Sequence, residues 1–157
     1  MHLRERERKV LEDALAAFTG ATGFHTAILA REPQAAGGHH PDAVIEIGDP
    51  GKPVQLFVEI RPVDRAVALA TAKQRLEAFG KRGVLVTRYM TAELATQCRT
   101  RLDLQFIDTA GNAYLRARDL LGHGTSLRER PGPAVRARPA RPRTGMHWGR
   151  QRLRWLA

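Results

Sequence analysis

Asp42, preceded by Pro41, and the pair Glu59 and Arg61 at the end of Val54-Gln55-Leu56-Phe57-Val58-Glu59-Ile60-Arg61 have the types and spacing of a metal-assisted phosphodiester chemistry. Hydrolysing a phosphodiester with Mg2+ takes hard oxygen ligands that converge on one point and a cation beside the developing charge. Asp42 and Glu59 are the candidate metal ligands. With Arg61 they make up the candidate catalytic set. A lysine in the third position would orient or activate the attacking water. Arg61 can stabilise the charge of a pentavalent phosphate but cannot act as a base, because its pKa is too high. The plainer alternative is that Asp42 caps a turn after Pro41, while Glu59 and Arg61 form an ordinary exposed ion pair.

Two strands must position these side chains. Asp42-Ala43-Val44-Ile45-Glu46-Ile47 predicts one strand, and Val54 to Arg61 predicts the next. Between them Asp49-Pro50-Gly51-Lys52-Pro53 carries strong turn chemistry, so the two form a hairpin that Pro62 stops. Antiparallel pairing can bring the start of one strand to the end of its partner. Residues two apart project from the same side, so Glu59 and Arg61 share a face, while Val58 and Ile60 point into a core.

The flanking elements follow from periodicity and punctuation. Leu3 to Phe18 predicts an amphipathic helix with Leu3, Val10, Leu11, Ala14, Leu15 and Phe18 on one face, ended by Gly20. Gly23 to Ala30 predicts a first strand, and Pro33 to His40 a loop. Asp64 to Phe79 predicts a helix with Val67, Leu69, Ala70, Leu76 and Phe79 as apolar positions and Gly80 and Gly83 at its end. The continuous apolar run Val84-Leu85-Val86-Thr87 predicts a strand buried on both faces. Thr91 predicts an N-cap for a further helix. Leu104 to Asp108 predicts another strand, and Gly111 to Leu115 a turn into a last one. The order α-β-β-β-α-β-α-β-β implies an α/β fold of the α+β kind, a mixed sheet flanked by helices.

Other polar residues offer less chemistry. Glu46 is in phase with Asp42 and would be an extra ligand, or else an exposed edge carboxylate. Lys73 and Gln74 lie mid-helix and read as a solvated face. His39 and His40 sit in a Gly-rich loop without a third ligand in view. Asp108-Thr109-Ala110-Gly111-Asn112 reads as a tight turn in which Gly111 or Asn112 takes positive φ. Cys98 is the single cysteine, which excludes an intrachain disulfide and a Cys-based zinc site. There is no Ser-His-Asp set, no P-loop and no G-x-G-x-x-G.

Charge divides the 157 residues unevenly. Residues 1–119 hold 17 Lys/Arg against 15 Asp/Glu, whereas residues 120–157 hold nine Arg against Glu129 alone. The chain thus reads as a nuclease-like domain over residues 1–121 and an Arg/Pro-rich, disordered tail over 122–157. Arg136, Arg138, Arg141, Arg143, Arg150, Arg152 and Arg154 are the candidate nucleic-acid contacts, acting through counterion release rather than base readout. No apolar run approaches the roughly 20 residues of a membrane span, and the charged N-terminus lacks a signal peptide's apolar centre. We expect a cytoplasmic protein of unassigned oligomeric state.

Two resemblances sharpen this reading. The Pro41-Asp42…Glu59-x-Arg61 pattern on the second and third strands of an αβββαβ order resembles the PD-(D/E)XK restriction-endonuclease-like fold, here with an additional helix and strands. Gly83-Val84-Leu85-Val86-Thr87-Arg88-Tyr89-Met90-Thr91-Ala92-Glu93-Leu94-Ala95, followed by Leu104-Gln105-Phe106-Ile107-Asp108-Thr109-Ala110-Gly111-Asn112-Ala113-Tyr114-Leu115, resembles AbiEi-like proteins of type IV toxin–antitoxin systems. That resemblance spans about Leu11 to Leu121. It implies an antitoxin or transcriptional regulator that binds DNA through a winged helix-turn-helix and opposes a nucleotidyltransferase-like toxin, with no cofactor required. Arg61 in place of lysine implies a catalytically quiet nuclease-like domain. The alternative is a Mg2+-dependent DNA endonuclease using Asp42, Glu59 and Arg61. The sequence departs from the family after Leu121 and stops at Ala157, so the expectation is a truncated or frame-shifted product without the winged helix.

Overall fold

In a computed structural model, which describes residues 5–33 and 38–116, six strands form one mixed sheet in the order β1-β2-β3-β4-β5-β6. The strands are β1 (His25–Arg31), β2 (Ala43–Gly48), β3 (Val54–Ile60), β4 (Gly83–Thr87), β5 (Phe106–Asp108) and β6 (Ala113–Tyr114). The helices are α1 (Glu5–Thr22), α2 (Ala66–Leu76) and α3 (Ala92–Gln97). β1, β2 and β3 pair antiparallel in succession; β3, β4 and β5 pair parallel; β6 returns antiparallel to β5. The expected mixed sheet flanked by helices is therefore present.

Both faces of the sheet are covered. Leu11, Ala14, Leu15 and Phe18 of α1 are buried at helical spacing. They pack with Ala43, Ile45 and Ile47 of β2, Leu56, Val58 and Ile60 of β3, and Val84 and Val86 of β4. On the other face, Leu69, Ala72 and Leu76 of α2 and Leu94 and Ala95 of α3 pack with Leu85 and Phe106. β4 is thus sandwiched, with all five residues buried, which accounts for its unbroken apolar run. Thr91 Oγ1 accepts from Leu94 N at 3.3 Å, capping α3 as expected.

Three boundaries differ from expectation. α1 runs through Gly20 to Thr22, and the stop is Gly23, whose φ of +76° suits the left-handed position after a helix. Its N–H returns to Thr19 O at 2.8 Å, and Thr22 Oγ1 donates to Phe18 O, so the last turn is closed without Gly20. α2 is shorter than the predicted 64–79 and passes into a tight 3-10 segment, Glu77–Arg82, broken at Gly80 with φ +58°. Its inward stripe is also rotated: Val67 is 75% exposed and Ala70 is exposed, whereas Ala72 is buried. Phe79 lies outside α2 and stacks on Phe57 of β3, with ring centroids 5.3 Å apart. β5 begins at Phe106 rather than Leu104, because a wider π-type turn over Cys98–Leu102 takes up chain first.

Candidate functional site

The β2–β3 register builds the site. Ala43 pairs with Val58 and Val44 with Phe57, which brings Asp42, one residue before β2, to the end of β3 that carries Glu59. Asp42 N donates to Val58 O at 2.8 Å, and Ile60 N donates to Asp42 Oδ2 at 2.7 Å. The alternation that sends Val58 and Ile60 into the α1-side core leaves Glu59 on the face that α2 covers. The two carboxylates anticipated from the sequence therefore come from adjoining strand ends, close enough for the charge of Glu59 to act on Asp42.

Their surroundings are not those of an exposed pair. The Glu59 side chain is 3% exposed, and its Oε1 accepts from Arg61 Nε at 2.5 Å and from Arg75 Nη1 at 3.2 Å. The expectation of an ordinary exposed Glu59–Arg61 pair is corrected accordingly. Two guanidiniums meet one carboxylate oxygen, one from the same strand and one from α2. Burial pushes the Asp42 carboxyl above its ordinary range; the Ile60 N–H opposes this, and the negative charge of Glu59 adds to it. Glu59 thus holds Arg61 and Arg75, while Asp42 accepts from the Ile60 backbone beside them.

Arg75 was not singled out in the sequence. Lys73 and Gln74, its neighbours on α2, lie half-buried and exposed and take no part in the cluster. The available signal was that Arg75 adjoins the buried stripe Leu69, Ala72 and Leu76, where a long cation can reach the sheet. Among the described residues, no group of three or more His, Cys, Asp or Glu side chains is placed to hold a metal ion. Asp42 and Glu59 alone offer hard oxygens, and each already accepts hydrogen bonds. Glu46 is in phase with Asp42 but pairs across from Gln55, nearer the hairpin turn. His39 and His40 are exposed.

The Asp108 turn is structural, as its sequence suggests. The residue is fully buried, and its carboxylate accepts from Met90 N, Ala110 N, Asn112 N and Asn112 Nδ2, each at 2.9 Å. Four donors leave no free position for acid–base work. Gly111 takes φ +84° there and approaches Ala17 O of α1, where a Cβ would lie at 3.4 Å. Cys98 is fully buried, and burial pushes its thiol up to about 12, so it is inert.

The seven arginines proposed as nucleic-acid contacts, Arg136 to Arg154, and the boundary at residue 121 lie outside the described residues. Among those described, no helix is long and apolar enough to cross a membrane. No protein-family model, curated protein or solved structure matches this chain.

Proposed function

We propose that this chain is an AbiEi-like antitoxin and transcriptional regulator of a type IV toxin–antitoxin system, with a restriction-endonuclease-like domain that is catalytically quiet. The observation that carries the quiet site is the double engagement of Glu59 by Arg61 and Arg75. A carboxylate that must bind Mg2+ has to shed such partners first, and shedding them would leave two cations beside the incoming metal. Arg61 also cannot act as the base that a lysine would supply. The αβββαβ order and the sheet order β1-β2-β3-β4 support the nuclease-like ancestry of the scaffold. The regulatory role rests on the sequence resemblance. It assigns DNA as ligand, a nucleotidyltransferase-like toxin as functional counterpart, and the cytoplasm as location. The test is growth rescue: co-expression should relieve arrest by such a toxin, and wild-type levels of the chain that leave arrest untouched would overturn the role.

A second reading is favoured by one specific observation, the closeness of Asp42 and Glu59 at adjoining strand ends. It is a Mg2+-dependent endonuclease with Asp42 and Glu59 as ligands and Arg61 stabilising the transition state. Plasmid nicking in Mg2+ or Mn2+ separates the two. Cleavage that disappears in both Asp42→Ala and Glu59→Ala would establish the enzyme.

A further inference from the structure

Asp42 and Glu59 each commit one carboxylate oxygen to the protein and keep the other back. Asp42 Oδ2 accepts from Ile60 N at 2.7 Å. Glu59 Oε1 takes both guanidiniums, from Arg61 Nε at 2.5 Å and from Arg75 Nη1 at 3.2 Å. Asp42 Oδ1 and Glu59 Oε2 accept no hydrogen bond from the described residues. Ile60 directly follows Glu59, so the bond that anchors Asp42 also keeps it beside the second acid. Two hard oxygens are therefore left over at adjoining strand ends, and the charge of Glu7 from α1 also acts on Asp42.

The two arginines that engage Glu59 are held differently. Arg61 lies two residues further along the same segment, and its backbone N donates to Val86 O at 3.1 Å, which ties it to the sheet. Arg75 arrives from α2, 16 residues away in sequence, and its side chain is 44% exposed. That helix has no side-chain cap at Arg65 and runs into a segment kinked at Gly80, where φ is +58°. Turned off Glu59, the Arg75 guanidinium meets water. Asp42, Glu59 and Arg61 by themselves leave one net negative charge, which Arg75 cancels.

Resting on the catalytically quiet reading above, we infer that Arg75 is an autoinhibitory residue that closes a divalent-cation site whose ligands, Asp42 and Glu59, are still in place. The site is masked rather than lost. Arg75 occupies part of the Glu59 carboxylate, and its charge opposes a second cation at the same place. At about 4 Å, a unit charge repels a divalent ion strongly enough to change affinity at least about tenfold. Arg61 stays on Oε1 and leaves Oε2 to the ion. Arg61 still cannot act as a base, so opening the site confers ion binding and not cleavage.

The experiment is a Mn2+ titration of the full chain, with the free ion followed by electron paramagnetic resonance. Wild type should show no saturable site at millimolar Mn2+. R75A and R75Q should each bind a single ion at least about tenfold more tightly than wild type. R75Q keeps a hydrogen-bond donor for Glu59 and carries the test if circular dichroism shows R75A unfolded. R75K keeps the charge and should stay closed. R75A/D42A and R75A/E59A should lose the site, and Mn2+ should raise the Tm of R75A while leaving that of wild type unchanged. No saturable site in either R75A or R75Q, a site that survives loss of both carboxylates, or equal binding by R75K and R75A would overturn the inference and leave the quiet reading standing. A stoichiometric site in the wild-type chain would overturn that reading itself.

Discussion

Glu59→Ala distinguishes an electrostatically satisfied cluster from an empty metal site by the sign of its effect. In the cluster, the 3%-exposed Glu59 carboxylate is the acceptor shared by Arg61 and Arg75. Removing one partner of a buried charge pair costs about 3–5 kcal/mol when the survivor stays buried. Here the survivors can reach water, since the Arg61 and Arg75 side chains are 33% and 44% exposed. Discounting for that access gives about 2–3 kcal/mol. With an unfolding entropy of about 2.1 cal/mol/K per residue, that is a fall in Tm of about 10 °C for a domain of roughly 110 residues. Differential scanning calorimetry without added metal reads it directly. Glu59→Gln keeps an acceptor for one guanidinium and should lose about half as much. If Asp42 and Glu59 were instead a pair of metal ligands repelling each other in the absence of the ion, Glu59→Ala would raise Tm. An unchanged or higher Tm would contradict a carboxylate satisfied by the two arginines.

Three further outcomes follow from individual side chains. Asp42 has a folded-state carboxyl raised above its ordinary 3.8, so its stability contribution is greatest below that value and is lost as pH rises through the folded pKa. Asp42→Asn does not titrate, so its Tm relative to wild type should rise between about pH 3.5 and about pH 7; a constant difference would contradict the raised carboxyl. Asp108→Ala strands buried N–H donors, Met90 N among them, and should cost about 3–5 kcal/mol in chemical denaturation, whereas a loss under about 1 kcal/mol would mean that the turn holds without the carboxylate. The Cys98 thiol, pushed up to about 12, should resist maleimide in native buffer and react at once in denaturant; fast native labelling would place it at the surface.

How far the fold and site could be read from residues alone depended on how local the determining forces were. The hairpin was legible because the turn residues 49–53 and the two flanking runs are contiguous and register follows from strand alternation. That same pairing brought Asp42 near Glu59. β4 was legible because a strand sandwiched between two cores must be apolar on both faces. The rotation of α2 was not legible: Val67 looks like a core residue, yet Leu69, Ala72 and Leu76 turn inward once packing against β4 is decided. Arg75 depends on that rotation, which is why its contact with Glu59 was hidden. Asp108 was read correctly as a turn residue, but its bond to Met90 N joins loops 18 residues apart, and no local pattern encodes it.

In the proposed quiet site the Glu59 carboxylate is committed to Arg61 and Arg75 rather than held open for a metal. Titration of the full chain with Mn2+, followed by electron paramagnetic resonance of the free ion, tests it most directly. A carboxylate committed to the two arginines gives no saturable site at millimolar Mn2+ in either the wild-type chain or Glu59→Ala. Stoichiometric binding by wild type, abolished in both Asp42→Ala and Glu59→Ala, would contradict it.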